Sequence, residues 1–266
     1  MADYASLIRP TGYSDDQTQA GVVMTFWGLS VLDAIGLAYF LTCWIGCSPF
    51  LRWWSGRQQI VGTVMIDHRR AWMDELLGRD VKVADTAIVG HIMSTAGFFA
   101  STTVIVIAAL LGVLVNTARG LQSGTNVWIT IAPPGPFEIK LVLILVIAVY
   151  AFLSFTWAIR QANYAAVMMG AAPPSKMNPI LRKRLAAAMG NIITGVAESY
   201  DNGMRSYYFA LGTLTWIVSP LLFIATTSGV LVILLYRQSK SSTALALREI
   251  SAAHLEAAQA DEGPKQ

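Results

Sequence analysis

Residues 83–115 read VADTAIVGHIMSTAGFFASTTVIVIAALLGVLV. After Asp85 the stretch carries no Asp, Glu, Lys or Arg up to Val115. About 20 apolar residues in a helix suffice to cross a hydrocarbon core. In lipid, a helix satisfies every backbone N–H and C=O within its own segment, so the run reads as a membrane span. Three further blocks have the same character, at about 22–47, 137–159 and 208–236. The blocks at 83–115 and 208–236 are long enough to tilt or to project beyond the core. The expected fold is all-α: a polytopic membrane helix bundle with about four transmembrane helices plus amphipathic cytoplasmic helices. A polar lead at 1–21 and a polar tail at 238–266 flank the membrane domain, 22–237.

Composition agrees. Charged residues are 13% of the 266 and apolar ones 55%, against about a quarter and just under half in soluble domains. That leaves too little polar surface to cover a water-facing globule of this size. The formal net charge of +3 is not gathered into a basic stripe, so nucleic-acid binding has no support. Cys43 and Cys47 stand one helical turn apart in the first block and read as packing residues, not a disulfide or a metal site. The lead contains Asp3, Asp15 and Asp16 where a cleavable signal would be basic. Trp44-Ile45-Gly46-Cys47 partly matches a lipoprotein cleavage box, but the acidic lead and bulky Trp44 favour an uncleaved first span.

Two segments between the spans have amphipathic helical spacing. In about 56–82, Val61, Met65, His68, Trp72 and Leu76 fall on one face. Arg70–Asp74 and Glu75–Arg79 form i,i+4 pairs on others. The third span is expected to continue through Arg160, Asn163 and Tyr164 and to stop near Gly170, before Pro173 and Pro174. From about 179 to 206, Leu185, Met189, Ile192, Val196 and Tyr200 form an apolar face, with Glu198, Asp201 and Arg205 on another. Both segments are expected on the membrane surface or packed beneath the bundle.

The connections after spans one and three hold twelve of the nineteen Lys and Arg. The positive-inside rule then places loops 48–82 and 160–207 in the cytoplasm and both termini outside, with a cell (inner) membrane location. Arg237 and Lys240, directly after span four, oppose that orientation.

Several stretches resemble the family of bacterial and plant membrane proteins called domain of unknown function 599. They are Asp67-His68-Arg69-Arg70-Ala71-Trp72-Met73 leading to Phe98-Phe99-Ala100-Ser101-Thr102-Thr103; Glu138-Ile139-Lys140-Leu141 running to Phe155-Thr156-Trp157-Ala158-Ile159-Arg160-Gln161-Ala162-Asn163-Tyr164; and Gly203-Met204-Arg205-Ser206-Tyr207-Tyr208-Phe209-Ala210 with Trp216. The similarity covers about residues 30–245. It implies a multi-span membrane protein and no assigned activity, so no catalytic residue is carried over.

The polar residues inside the spans are the candidate sites. Asp33 falls near the middle of the first block, where an ionised carboxylate costs about 2.5–3.5 kcal/mol or more. It reads either as a proton or cation site, or as a carboxyl hydrogen-bonded to Ser30 or a neighbouring helix, or as a residue nearer the interface. His91, one turn from Thr95, reads as a satisfied core histidine; with His68 outside the bilayer it makes no haem ligand pair. Asp85, Arg160, Asn163, Glu198 and Arg205 are expected at one depth, as a polar cluster on the cytoplasmic boundary. An arginine there should pair with Asp85 or Glu198, locking the helix ends, with a gate or anion site as the other reading. Ala87, Gly90, Ser94, Gly97 and Ser101 form a small-residue stripe suited to a close helix contact within the chain or with another. Pro220 should kink span four by freeing the carbonyl of Trp216.

No nucleophile–base pair, phosphate loop or metal-ligand spacing appears, so neither an enzyme nor a cofactor is expected. Two classes remain. One is a structural, scaffold or accessory subunit of a membrane assembly. The other is a small-ion or small-solute channel or transporter using Asp33. The expected partners are the lipid bilayer and a second copy or another membrane subunit.

Overall fold

The computed structural model describes residues 29–55, 61–123, 136–173, 177–239, 242, 245–247 and 249–253. The polar lead and most of the tail lie outside them. Every regular element among the described residues is helical: α1 (Val31–Ser55), α2 (Val61–Gly78), α3 (Val83–Ser123), α4 (Pro136–Gly170), α5 (Pro179–Leu214) and α6 (Pro220–Ser239), with a 3₁₀ turn at Thr215–Ile217. The chain is a helical bundle, as its hydropathy predicts. Three helices, in α3, α4 and α6, are long and apolar enough to cross a membrane, and Val31–Cys47 of α1 forms a shorter apolar stretch.

Side-chain contacts give the helix directions. Lys82 reaches the carbonyl of Ala172 and Phe99 stacks on Phe155, so α3 and α4 are antiparallel. Ser199 bonds Gln161 and Lys140 bonds the carbonyl of Trp216, so α4 and α5 are antiparallel too. Gly36 lies against Phe223 and Ile224 and Tyr39 bonds Ser228 at 2.9 Å, which makes α1 and α6 parallel.

The expected fourth span, 208–236, is not one crossing. Arg237 donates to the hydroxyl of Tyr208 at 3.0 Å, bringing the two ends of the block together. Between them the chain reverses at Val218 and Ser219, and α6 runs back along α5, with Thr215 and Thr226 bonded at 2.8 Å. Pro220 therefore does not kink a continuous helix; it is the first residue of a new one. Its ring supplies the φ suited to that position, and its missing N–H would be unsatisfied there anyway. The hydroxyl of Ser219 accepts from the N–H of Leu221 at 3.3 Å and caps the start.

This reversal changes where the chain ends. At 1.5 Å per residue the 20 residues of α6 extend about 30 Å, one hydrocarbon thickness. The chain thus enters α1 at the Asp33 end of the bundle, and α6 runs away from that end towards α2. The expectation that both ends share a side rested on an even number of crossings, and the α5–α6 hairpin removes that basis.

The buried residues form an upper and a lower storey. In the upper one Phe40, Ile147, Phe209, Trp216 and Phe223 cluster between α1, α4, α5 and α6. In the lower one Met73, Leu76, Leu77, Val89, Ala162, Met169, Met189 and Ile193 join α2, the start of α3, the end of α4 and the start of α5. Phe155 and its ring partners Phe99, Tyr200 and Tyr207 lie between them. The 35 residues of α4 measure about 52 Å, roughly 20 Å more than the thickness of a hydrocarbon core. The amphipathic α2 and the first half of α5 pack against each other in the lower storey. Asp74 accepts from Arg182 at 2.9 Å, and Gly190 brings α5 onto the backbone of Arg70.

Candidate functional site

Asp33 is the most connected carboxylate of the upper storey. It sits in the first turn of α1, not at mid-span as the hydropathy of 22–47 suggests. Ser30 and Asp33 form a reciprocal N-terminal cap. The N–H of Ser30 donates to Oδ2 of Asp33 at 3.0 Å, and the N–H of Asp33 donates to Oγ of Ser30 at 3.1 Å. The Ser30 hydroxyl also donates to Oδ2 at 2.7 Å. Such a cap satisfies orphan donors of a helix start.

Oδ1 of the same carboxylate faces the rest of the bundle. It accepts from Nε1 of Trp216 at 2.7 Å, and Nζ of Lys140 stands 3.6 Å away. Lys140 in turn donates to the carbonyl of Trp216 at 2.9 Å. That is the carbonyl which Pro220, lacking an N–H, leaves without its helical partner. The ammonium also lies 5.3 Å from the Trp216 ring centre, and the ring stacks on Phe223 at 4.9 Å. Trp216 is fully buried and Asp33 nearly so. Lys140 is the fifth residue of α4, after Glu138 in its first turn, so a cation near this N-terminus opposes the helix dipole by no more than about 0.3–1 kcal/mol. The buried carboxylate and carbonyl outweigh this, because removing either partner of such a pair typically costs several kcal/mol. One carboxylate therefore ties the starts of α1 and α4 to the α5–α6 turn. Of the readings open for Asp33, the geometry matches the hydrogen-bonded carboxyl near a helix end.

The lower storey repeats the arrangement. Asp85 is in the first turn of α3 and 2% exposed. Its Oδ1 accepts from Nε1 of Trp72 at 2.7 Å and from Arg79 at 3.2 Å. Carboxylate, indole and cation here close the short α2–α3 connection. The Oδ2 of Asp85 is buried with no hydrogen-bond partner, so this set is less completely satisfied than that of Asp33.

The expected boundary cluster is divided. Asp85 takes Trp72 and Arg79, because the α2–α3 turn holds Arg79 within six residues of it. Arg160 instead donates to the hydroxyl of Tyr164 one turn along α4, and Asn163 to the carbonyl of Ile159; both are exposed. The lock between Arg160 and Asp85 is not formed. Glu198 and Arg205 belong to another group on α5. Arg205 bonds Asn202, and the charges of Asp201 and Glu198 act on Arg69 of α2. Packing pushes the Arg69 guanidinium down from its ordinary value, against the pull of those two carboxylates. It also pushes the Asp201 carboxyl up, with Arg205 and Arg69 pulling it back. Asp201 is exposed, so these charges are screened and their net worth is small.

His91 is exposed, so it is not a core histidine. The register set by Lys82–Ala172 and Phe99–Phe155 puts it level with Asn163. The small-residue stripe points away from the chain: Ala87, Gly90, Ser94 and Ser101 are exposed and Gly97 half-exposed. Cβ atoms added at Gly90 and Gly97 would meet nothing within 4 Å. Inside the chain α3 packs chiefly on α4, with Ala100 against Ala151 and Phe155, and its Thr103 bonds Tyr207 of α5. Cys43 and Cys47 are buried free thiols. Among the described residues no three His, Cys, Asp or Glu side chains converge as metal ligands.

Three residues that sequence reasoning did not single out complete the two sites: Lys140, Trp216 and Trp72. Lys140 and Trp216 had one available signal each. Lys140 is a cation near the start of a span, and Trp216 is the residue whose carbonyl Pro220 leaves open. Compared with known proteins, residues 35–243 match the family model described as "Protein of unknown function, DUF599". No curated protein and no solved structure matches the chain.

Proposed function

For a chain that belongs to the DUF599 family of proteins of unknown function, we propose a structural role: a non-catalytic scaffold or accessory subunit of a membrane assembly. The observation that carries this reading is the engagement of Asp33. A transport carboxylate must exchange its ligand, whereas this one caps α1 through Ser30 and holds Trp216 and Lys140. Its removal would loosen three helices. The outward face of α3 supports the same reading. Small side chains permit close backbone approach, and in lipid such approach is a main source of helix association.

The hairpin supports a revised orientation. With α6 leaving the bundle beside α2, Arg237 and Lys240 join the side that already holds twelve Lys and Arg. The conflict with the positive-inside rule disappears. The N-terminal end is then outside and the projecting storey cytoplasmic, in a bacterial-type inner membrane.

The role is tested by extracting the tagged protein gently from its native membrane and weighing the particle. A complex larger than one 28.8 kDa chain is expected, and the paired change Gly90→Leu and Gly97→Leu should dissociate it while the monomer stays folded. A monomer of the unaltered protein extracted from native membranes, or a complex that survives both changes, would contradict the assembly role.

A further inference from the structure

The projecting storey carries an exposed apolar and basic surface at the start of α5. Ile180 is 73% and Leu181 53% exposed, and Lys183 and Arg184 beside them are exposed too. Arg182 between them is engaged by Asp74. Taking α5 in register with α4, this turn lies well below the hydrocarbon boundary. Ser199 is level with Gln161, and Ile180 is 19 residues, about 28 Å, further along the helix axis. Lipid of the same bilayer does not reach it.

The chain itself supplies a complement. α6 runs from the α5–α6 turn towards the end of the bundle that holds the start of α5, and 27 residues follow Ser239. As a helix they would extend about 40 Å, and further where the chain is extended. They include apolar Leu245, Leu247, Ile250 and Leu255, and four acidic residues, Glu249, Glu256, Asp261 and Glu262, against three basic ones, Lys240, Arg248 and Lys265. Leu245 and Ile250 are 58% and 47% exposed, so apolar surface is open on both sides of the pairing. The acidic excess of the tail matches Lys183 and Arg184.

We propose that the C-terminal tail, residues 240–266, docks on the start of α5 of its own chain. Its apolar positions cover Ile180 and Leu181, and its acidic residues face Lys183 and Arg184. The contact is salt-sensitive, since its charged half is at the surface. It makes the tail a removable cover of the projecting storey.

The test is maleimide labelling of Ile180→Cys in the full-length protein in nanodiscs, where the native thiols are buried. Removal of residues 245–266 should speed labelling at least fivefold, and high salt should do the same to the full chain. Val218→Cys, at the opposite end and 77% exposed in the native residue, should label at one rate in both. A second pair guards against misfolding of the truncated chain. Lys183→Glu with Arg184→Glu should expose Ile180→Cys, and Glu249→Lys with Glu256→Lys should restore protection. Equal labelling with and without the tail overturns the proposal. So does protection that survives tail removal in nanodiscs but not in detergent, which would assign the surface to lipid. Protection that is lost on dilution of full-length protein overturns docking within one chain.

Discussion

Gly203→Ala should lower the melting temperature of the detergent-solubilised protein by more than any other single methyl addition in the bundle. A Cβ at this position would stand 2.6 Å from two ring carbons of Phe155, well inside van der Waals contact. The ring has little freedom to retreat. It is fully buried, stacked on Phe99 at 5.5 Å and flanked by Tyr200 and Tyr207. Overpacking of this kind costs about 1–3 kcal/mol, concentrated at the level where the membrane and projecting storeys meet. Phe155→Leu should recover part of the loss, because the smaller side chain gives the methyl room. The double variant should therefore be more stable than the two single losses added together. Additive losses would mean that α4 and α5 do not approach closely at this pair. Gly90→Ala is the comparison, since its Cβ would meet nothing within 4 Å.

Asp33→Asn should destabilise the protein by about 3 kcal/mol, the typical effect of leaving a buried partner charge uncompensated. The amide keeps the shape of the carboxylate but leaves Lys140 facing a neutral group. Lys140→Met should have a comparable effect, by leaving both Asp33 and the carbonyl of Trp216 short of a donor. Combined, the two should cost well below their sum, because each already breaks the same contact. Thermal unfolding of the four proteins in one detergent measures this coupling. Strict additivity would show that Asp33 and Lys140 act independently, and a stable Asp33→Asn variant would remove the carboxylate from its structural role.

Helix existence was legible in the sequence and helix continuity was not. The block 83–115 reads as a span because its apolar run is uninterrupted, and α3 contains it. The block 208–236 looks equally continuous by hydropathy, since Ser219 and Pro220 barely lower the average over 29 residues. Yet serine followed by proline is a helix-start signal, the serine as cap and the proline at the first helical position. Reading Pro220 as a kink used half of that signal, the freed carbonyl of Trp216. It missed the other half, that the helix ends there. The acceptor was then found by Lys140, 76 residues earlier, a pairing no local pattern contains.

Asp33 shows the same limit. Its spacing from Ser30 is that of a capping box, with aspartate in place of the commoner glutamate. The apolar residues from Val22 to Trp27 made the region look like the interior of a span instead. For the boundary cluster, equal depth was the basis of grouping Asp85 with Arg160, but the register of α3 on α4 puts Asp85 level with Met169, nine residues or about 14 Å along α4 from Arg160. Trp72 and Arg79 instead reach Asp85 across a short turn. Counting residues from the ends of apolar blocks does not fix the register between two helices.

The α5–α6 reversal is the claim on which the Asp33–Trp216–Lys140 contact, the orientation and the tail contact all depend. It is tested most directly by labelling single cysteines at Val218 and Ser239 with a membrane-impermeant maleimide in intact cells, before and after permeabilisation. The reversal predicts that Val218→Cys reacts in intact cells and Ser239→Cys only once the membrane is opened. A Val218→Cys thiol shielded in both conditions, with Ser239→Cys reacting from outside, would restore a single unbroken span and contradict the account.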